Sequence, residues 1–208
     1  MRFEINTSLY EKLDRSFYER ADVVAVARDL LGKYLVSKID ETLTVGKIVE
    51  TEAYSGRNDK ACHANNRRTP RTEVMYGRGG HSYVYLCYGI HHLFNVVTNV
   101  EEMADAVLVR ALEPISGISE MELRRKGSDN LTKGPGVLTQ AMGIKSSTTG
   151  LDLLGDSIWL CHGDNERLEI EVDTRIGVEY AMEDALKPWR FYVKGNKYVS
   201  KKKKARVD

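Results

Sequence analysis

The stretch TVGKIVETEAY, from Thr44 to Tyr54, is rich in β-branched residues and predicts a long β-strand. Similar runs surround it, namely YLVSKI from Tyr34, SYVYLCY from Ser82, LFNVVTNV from Leu93 and AVLVRAL from Ala106. Most connections between these runs are too short to hold crossover helices, so neighbouring strands should pair antiparallel. The sequence therefore predicts a sheet built around residues 44–54.

Helices should flank this sheet. Apolar residues recur with a helical period between Asp22 and Leu31, and Gly32 is placed to end that helix. Two more are expected, from about Ser119 to Lys126 and after Gly134, where Pro135 suits a first helical turn. The final third returns to strand-like runs, SIWLCH, LEIEVDTRIGV and RFYVKG. We predict an α+β protein with one mixed, mostly antiparallel, curved β-sheet and flanking helices.

The length and composition indicate one domain over residues 1–208. With 208 residues and 42% hydrophobic content, the chain can bury a single substantial core. No stretch approaches the ~20 apolar residues that cross a bilayer, and the start MRFEINTSLYEKLDRSF is too acidic for a signal peptide. Cys62, Cys87 and Cys161 lack paired spacing, so we expect free thiols in a reducing compartment such as the cytosol.

Positive charge is concentrated locally, although the formal net charge is only +1. Between Arg57 and Arg78 two acids accompany six bases, which are Arg57, Lys60, Arg67, Arg68, Arg71 and Arg78. A second basic group comprises Arg124, Arg125, Lys126 and Lys133. Nucleic acid requires a positive face rather than a positive total, so the first group indicates a polyanion. The run Lys201–Lys204, within a basic tail of residues 201–208, is expected to be solvated and flexible.

The segment between Tyr54 and Ser82 contains Asn65, Asn66, Pro70 and several glycines, and no strand or helix is predicted within it. Compact domains rarely contain so long a loop without a functional reason. This basic loop is therefore a functional candidate.

Two carboxylates lie two positions apart in the predicted central strand. Because side chains at i and i+2 share a face, Glu50, Glu52 and Tyr54 should point the same way. If that face borders a cleft, one acid can hold a water while the other pairs with a basic neighbour. If it is an exposed face, both glutamates are merely solvated.

Three tyrosines occur within SYVYLCYG. Tyr83 and Tyr85 share a face, and Tyr88 precedes Gly89 at the end of the strand. Aromatic residues in strands commonly pack across strands. A large ring at such a junction can instead project as a wedge, and proteins that act on single bases need both a stacking surface and a wedge.

Several motifs in this order resemble the alkyladenine (3-methyladenine) DNA glycosylase family. They are IVETEAY, ACHA, RRTPR, YVYLCYG, FNVV and VLVRALEP, and the resemblance runs from about Asp29 to Lys194. It implies that Glu52 is the catalytic base, which deprotonates a water aimed at the anomeric carbon of the sugar. It also implies that Arg110 and the main-chain carbonyl of Ile176 help to hold that water.

The resemblance further implies a pocket for an extruded base. Tyr54 on one side, with His63 and Tyr85 on the other, would form its walls, and the Asn95 amide would crowd the exocyclic amine of guanine. Tyr88 would enter the duplex where the base has left. Ile90 stands beside it where relatives often have methionine, and Arg57–Lys60 replaces a more acidic stretch, so lesion preference and the fit around the wedge can differ.

The resemblance implies a monofunctional DNA glycosylase of base excision repair that acts on double-stranded DNA containing damaged purines, without a cofactor or metal. No lysine occurs in the matched pocket motifs, so a Schiff base and strand cleavage are not expected. We expect phosphate contacts from Arg67, Arg68 and Arg71, and more weakly from Lys133, although such arginines can also pair with acids of the protein.

The implied protein is a monomer that stays off membranes, nucleoid-associated in the cytoplasm or nuclear in a eukaryote. His63 is the chemical candidate for an acid that protonates neutral leaving bases, or it only makes pocket hydrogen bonds. The alternatives are a non-catalytic nucleic-acid-binding module with a purine pocket, and a protein acting on free nucleosides or RNA. Glu52 and Arg110 argue against the first, and the Tyr88 wedge argues against the second.

Overall fold

The computed structural model describes residues 11–65, 67–164 and 166–200. The predictions for the first ten residues and for Lys201–Lys204 lie outside this part of the chain. The described helices are α1 (Arg15–Tyr18), α2 (Val23–Asp29), α3 (Ile118–Arg124) and α4 (Pro135–Met142). The strands are β1 (Tyr34–Ile39), β2 (Thr42–Tyr54), β3 (Ser82–Cys87), β4 (His91–Thr98), β5 (Asp105–Ser116), β6 (Ile158–Cys161), β7 (Ile170–Asp173) and β8 (Arg190–Val193). Short 3-10 segments span Glu73–Tyr76, Ser146–Thr148 and Glu179–Leu186.

The strands form one sheet in the order β3-β4-β5-β2-β1-β6, and β8 joins β2 to β7. Each pairing between described strands is antiparallel. The predicted α+β class, with one curved and mostly antiparallel sheet flanked by helices, is confirmed.

Strand β2 has different neighbours at its two ends. Its first half, from Thr42 to Lys47, pairs with β1, whereas Glu50–Glu52 pairs with β8. On its other edge β2 pairs with β5 along most of its length, with register shifts on both sides of Glu50. At the second shift Glu50 lies opposite Ala111 and Thr51 opposite Val109, so Arg110 has no partner across the strands. Such a bulge re-aims the side chain of the extra residue.

The main hydrophobic core lies between the sheet and the helices. Val26 and Leu30 from the α2 region and Leu138 from α4 pack with strand residues such as Phe94 and Val109. Helix α2 begins where predicted, because the Asp22 carboxylate caps it by accepting from the N–H groups of Val24 and Ala25. Pro135 starts α4 in its first turn, as expected.

Two sequence-based expectations need correction. The run LEIEVDTRIGV was predicted as a strand, but only Ile170–Asp173 pairs with β8, and the chain then leaves the sheet. No helix or strand was predicted between Tyr54 and Ser82, but this segment contains the 3-10 turn Glu73–Tyr76, whose Met75 is buried.

Within the described parts of the chain, the helices are all too short or too polar to cross a membrane.

Candidate active site

One row of residues crosses five strands and brings most of the predicted site together. Tyr83 of β3 lies opposite Asn95 of β4, which lies opposite Leu108 of β5. Leu108 in turn lies opposite Glu52 of β2, whose partner in β8 is Arg190. Directly opposed residues of antiparallel strands point to the same face. The register of the sheet therefore sets the spacing between Glu52 and the residues of β3 and β4.

A cavity of about 370 Å³ opens over this row. We call it the slot, and its volume lies in the range of small-molecule sites. The side chains and backbone that line it come from the sheet, the basic loop and the segment after β7, and they include Tyr54, His63, Tyr83, Tyr85, Tyr88, Asn95, Leu108, Arg110, Ile176, Gly177 and Tyr180. Every base-pocket residue predicted from the sequence lies along this slot.

Glu52 lies directly beneath the slot and is fully buried. Its Oε2 accepts hydrogen bonds from the Tyr54 hydroxyl at 2.8 Å and from Arg110 Nη1 at 3.1 Å. Its Oε1 accepts from the Ile176 main-chain N–H at 2.7 Å. Because all three donors belong to residues that line the slot, Glu52 lies directly behind that lining. The contact found for Ile176 uses its N–H, whereas its carbonyl was the predicted group.

Glu50 is equally buried but has a different set of partners. Its Oε1 accepts from Arg110 Nε at 3.1 Å and from Arg190 Nε at 2.7 Å. Ser200 donates twice, from its hydroxyl at 2.8 Å and from its N–H at 2.7 Å. The interpretation of Glu50 and Glu52 as solvated residues on an exposed face is therefore wrong. Glu50 is the acid that pairs with basic neighbours.

The two side chains that donate to Glu52, Arg110 and Tyr54, both have raised pKa values and so keep their protons. Burial lowers the pKa of Arg110, but the charges of Glu52 and Glu50 outweigh burial and raise it overall. Burial and then the charge of Glu52 raise the pKa of Tyr54 well above its ordinary value. Tyr54 thus keeps its proton at neutral pH and acts as a donor to Glu52.

Three rings form one wall of the slot. The rings of Tyr83 and Tyr85 stack with centroids 5.5 Å apart, and His63 meets Tyr85 edge to face at 4.6 Å. His63 Nδ1 also lies 2.9 Å from the Tyr83 hydroxyl. Burial first, and then the charge of Arg71, lower the pKa of His63 to about 4. His63 is therefore neutral at pH 7, which favours the hydrogen-bonding role over the acid role. Tyr83 shares the predicted face with Tyr85 but was not assigned to the pocket.

Asn95 is buried at the floor of the slot. Its Nδ2 donates to the main-chain carbonyl of Tyr83 at 3.0 Å and to that of Leu93 at 3.4 Å. These two carbonyls fix the orientation of the amide. The opposite end of the amide, Oδ1, is thereby available to a ligand in the slot.

The opposite wall, Tyr54, is supported from behind by a residue that sequence reasoning missed. The Arg175 guanidinium lies 4.8 Å from the Tyr54 ring centroid, and it is held by Asp59 at 2.6 and 2.8 Å. Arg175 is buried and does not line the slot, so it covers the ring face turned away from the slot. The position of Arg175 next to Ile176 is the one signal in the sequence that pointed to it.

Tyr88 lies at the tip of the β3–β4 hairpin and is 90% exposed. Tyr88 and Gly89 both have positive φ, at 51° and 72°, and the Ile90 N–H donates to the Cys87 carbonyl at 3.1 Å. This pattern is typical of a type I′ turn, in which glycine or asparagine is preferred. A tyrosine at this position is conformationally costly, and Ile90 beside it is also exposed. An exposed, strained aromatic tip favours a function in binding over a function in folding.

The predicted phosphate contacts differ in their surroundings. Arg67 and Arg71 are exposed, and within the described residues neither has a carboxylate partner. Arg68 pairs with Glu73 at 2.6 Å and with Glu102 at 2.8 Å. Lys133 Nζ donates to the Lys197 carbonyl at 3.1 Å. Arg67 and Arg71 are therefore the free cations of the basic loop in the described chain.

A second cavity, of about 410 Å³, borders the same hairpin through Ile90, His91 and His92. Several of its polar residues bond one another, as Arg124 does with Glu120 at 3.0 Å and Gln140 with the Arg124 carbonyl at 2.9 Å. In the described parts of the chain, no cluster of three or more histidine, cysteine or acidic residues is arranged to hold a metal. The slot therefore remains the candidate active site.

Comparison with known proteins agrees with this geometry. The family described as "Methylpurine-DNA glycosylase (MPG)" matches residues 16–197. A protein of Clostridium acetobutylicum is 48% identical over 204 residues, covering 93% of this chain and 99% of that protein. One from Carboxydothermus hydrogenoformans is 50% identical over 194 residues, covering 91% and 99%. Both carry the name "Putative 3-methyladenine DNA glycosylase".

The chain belongs to the methylpurine-DNA glycosylase family. It is therefore a DNA glycosylase, a DNA-repair hydrolase that acts on N-glycosyl bonds. The resemblance inferred from its motifs is confirmed.

Proposed function

We propose that this enzyme extrudes an alkylated or deaminated purine from duplex DNA into the slot and hydrolyses its N-glycosidic bond with a water activated by Glu52. The products are the free base and an abasic site. Substrates of this class are 3-methyladenine, 7-methylguanine, hypoxanthine and ethenoadenine. The observation that supports this proposal most strongly is one buried carboxylate, held by three donors, beneath an aromatic slot.

The hydrogen bonds of Glu52 indicate where the water would bind. An ionised carboxylate has about four acceptor positions, two on each oxygen. Oε2 uses both, for Tyr54 and Arg110, whereas Oε1 uses one, for the Ile176 N–H. The remaining position on Oε1 can hold a water beside Ile176, whose carbonyl is a second acceptor for it. The same carboxylate would stabilise the positive charge that develops on the sugar as the purine leaves.

Recognition of the base follows from the two walls. The purine would stack between Tyr54 and the wall of His63 and Tyr85, with the Asn95 Oδ1 at its edge. Because Arg175 already covers the rear face of Tyr54, cation–π attraction for an alkylated purine depends mainly on Tyr85. Flipping costs a few kcal/mol and is least costly for damaged bases, which stacking in the slot then stabilises.

The hairpin tip would fill the space that the base leaves in the duplex. Tyr88 is exposed at a turn beside the mouth of the slot, with Ile90 next to it. Arg67 and Arg71 would contact phosphates, with Lys133 as a weaker contact and Arg68 held back by its two acids. Phosphate contacts position a protein on DNA without reading sequence, which suits a search for damage.

The lining of the slot supports a monofunctional enzyme. Among the described residues that line the slot there is no lysine to form a Schiff base.

His63 is neutral at pH 7, so a neutral leaving base such as hypoxanthine would be protonated by another donor. A non-catalytic binding module would not need the buried carboxylate and its three donors.

The proposal is tested with matched substrates. Oligonucleotide duplexes containing one 3-methyladenine, 7-methylguanine, hypoxanthine or ethenoadenine are compared with undamaged duplex, with damaged RNA and with the free nucleosides. We expect base release from at least one lesion duplex, abasic sites without strand cleavage, and no release from nucleosides. Release from nucleosides at the rate seen with duplex, or no release from any duplex, would refute it.

A further inference from the structure

The rim of the slot contains a second exposed aromatic residue, Tyr180, to which the sequence assigned no function. Tyr180 lines the slot and yet is 64% exposed. It belongs to the segment Glu179–Leu186, which follows directly on Ile176 and the slot wall. A side chain that both lines a cavity and faces solvent lies at the mouth of that cavity.

The position of Tyr180 is fixed before any ligand binds. Its hydroxyl donates to the Ala61 carbonyl at 3.1 Å, which ties this segment to the basic loop. Burial raises the pKa of its phenol, and Tyr88 lines the same slot. The ring is thus neutral, held in place and on the same cavity as the hairpin tip. A pre-positioned ring loses little conformational entropy when it binds a partner.

The backbone next to Tyr180 has an unusual conformation. Met182 adopts φ 55° and ψ −122°, a region that residues other than glycine rarely occupy, and its side chain is 69% exposed. Tyr88 combines the same two features at the hairpin tip. Exposed apolar side chains on strained backbone cluster at binding surfaces. Such places therefore occur at the hairpin tip and two residues after Tyr180, on separate parts of the chain.

A nucleotide whose base fills the slot must leave its sugar and phosphates at the mouth, because the glycosidic bond is short. We propose that Tyr180 is a second aromatic DNA contact, whose ring lies against the sugar and phosphate backbone of the damaged strand next to the extruded base. The inference rests on the proposed function, since it requires a base in the slot. The ring would pack against the sugar while its hydroxyl stays on Ala61.

The test measures equilibrium binding in a Glu52→Gln background, so that the duplex is not processed. Tyr180→Ala should weaken binding to a hypoxanthine duplex roughly tenfold, in line with losses on removing aromatic nucleic-acid contacts. Binding to the undamaged duplex should change little, because there the base stays stacked. Tyr180→Phe should lose much less affinity than Tyr180→Ala, since it retains the ring and loses only the bond to Ala61. Leu123→Ala, at an exposed position on α3 outside the slot, is the matched control.

Equal affinity of the Tyr180→Ala and parent proteins for the lesion duplex would overturn the inference. So would equal losses in Tyr180→Phe and Tyr180→Ala with lowered melting temperatures, since only the bond to Ala61 would then matter. Failure of the proposed function has a different signature. In that case the protein with native Glu52 and Tyr180 releases no base from any lesion duplex, or its rate is unchanged by Glu52→Gln.

Discussion

Glu50 and Glu52 lie two positions apart in β2, are both fully buried and share Arg110, yet their surroundings differ. Glu50 accepts hydrogen bonds from Arg190 and Ser200, neither of which lines the slot. The donors of Glu52 all line the slot, and one acceptor position on Oε1 remains free in the described structure. Glu50 accepts four hydrogen bonds and Glu52 three, so we expect Glu50 to contribute mainly to stability and Glu52 to the chemistry. Three of the following experiments separate these two roles.

The largest effect is expected from Glu52→Gln. Glutamine has nearly the same shape but cannot accept a proton from water, so single-turnover base release should fall roughly 10²- to 10⁴-fold. Lesion-duplex binding should persist because the slot is unchanged. The free energy of unfolding should fall less than in Glu50→Gln, because Arg110 keeps its bond to Glu50. Release at the parent rate would remove Glu52 from the mechanism.

Glu50→Gln is the matched substitution at the other acid of the pair. It leaves the buried Arg110 and Arg190 guanidiniums without their shared carboxylate. Removing one partner of a buried ion pair costs roughly 3–5 kcal/mol, so denaturant unfolding should show a loss of that order. Base release per folded molecule should fall far less than in Glu52→Gln. A stable Glu50→Gln protein that releases no base would reverse the two assignments.

The sequence predicted this pair of acids, and the family resemblance singled out Glu52 as the base, but the strand pattern alone did not show which acid would pair with basic neighbours. Period-2 alternation put Glu50, Glu52 and Tyr54 on one face, and the Tyr54 bond to Glu52 agrees. The bulge that leaves Arg110 without a cross-strand partner depends on how β5 and β8 meet β2, and alternation does not encode it. Distinct motifs therefore predicted which residues line the slot, whereas the register between strands far apart in the sequence decides which of them bond to one another.

The fold was predictable to a similar extent. Strand β1 was predicted with its observed bounds, and the capping residue Asp22 marked the start of α2. The run after Leu168 was predicted too long because its strand-like composition continues through Ile176, although pairing with β8 ends at Asp173. Arg175, which supports Tyr54 from behind, is 116 residues from Asp59 in the sequence, and only tertiary structure brings the two together.

A smaller effect on stability is expected from His63, the neutral histidine in the wall of the slot. Its pKa is about 4 in the folded protein, against an ordinary value of 6.5. As the pH falls, the unfolded chain binds the proton first, so stability is lost by up to about 1.4 kcal/mol per pH unit between these values. Above pH 6.5 the contribution is fully present. Denaturant unfolding from pH 4 to 8 should show this slope, and His63→Gln should reduce it. Parallel curves for the two proteins would contradict the burial of a neutral His63.

The smallest effect is expected from Ser200→Ala, which removes one of the donors to Glu50. This change removes the hydroxyl bond to Glu50 but keeps the main-chain N–H bond, so we expect a loss of about 1 kcal/mol in unfolding free energy. Ser147→Ala, at an exposed serine, is the control and should change neither the unfolding free energy nor the rate of base release. Base release should stay at the parent rate, because Glu52 keeps all its donors. A clear fall in release without loss of stability would show that Glu50 acts on Glu52 through Arg110, and the two carboxylates would then form one functional unit.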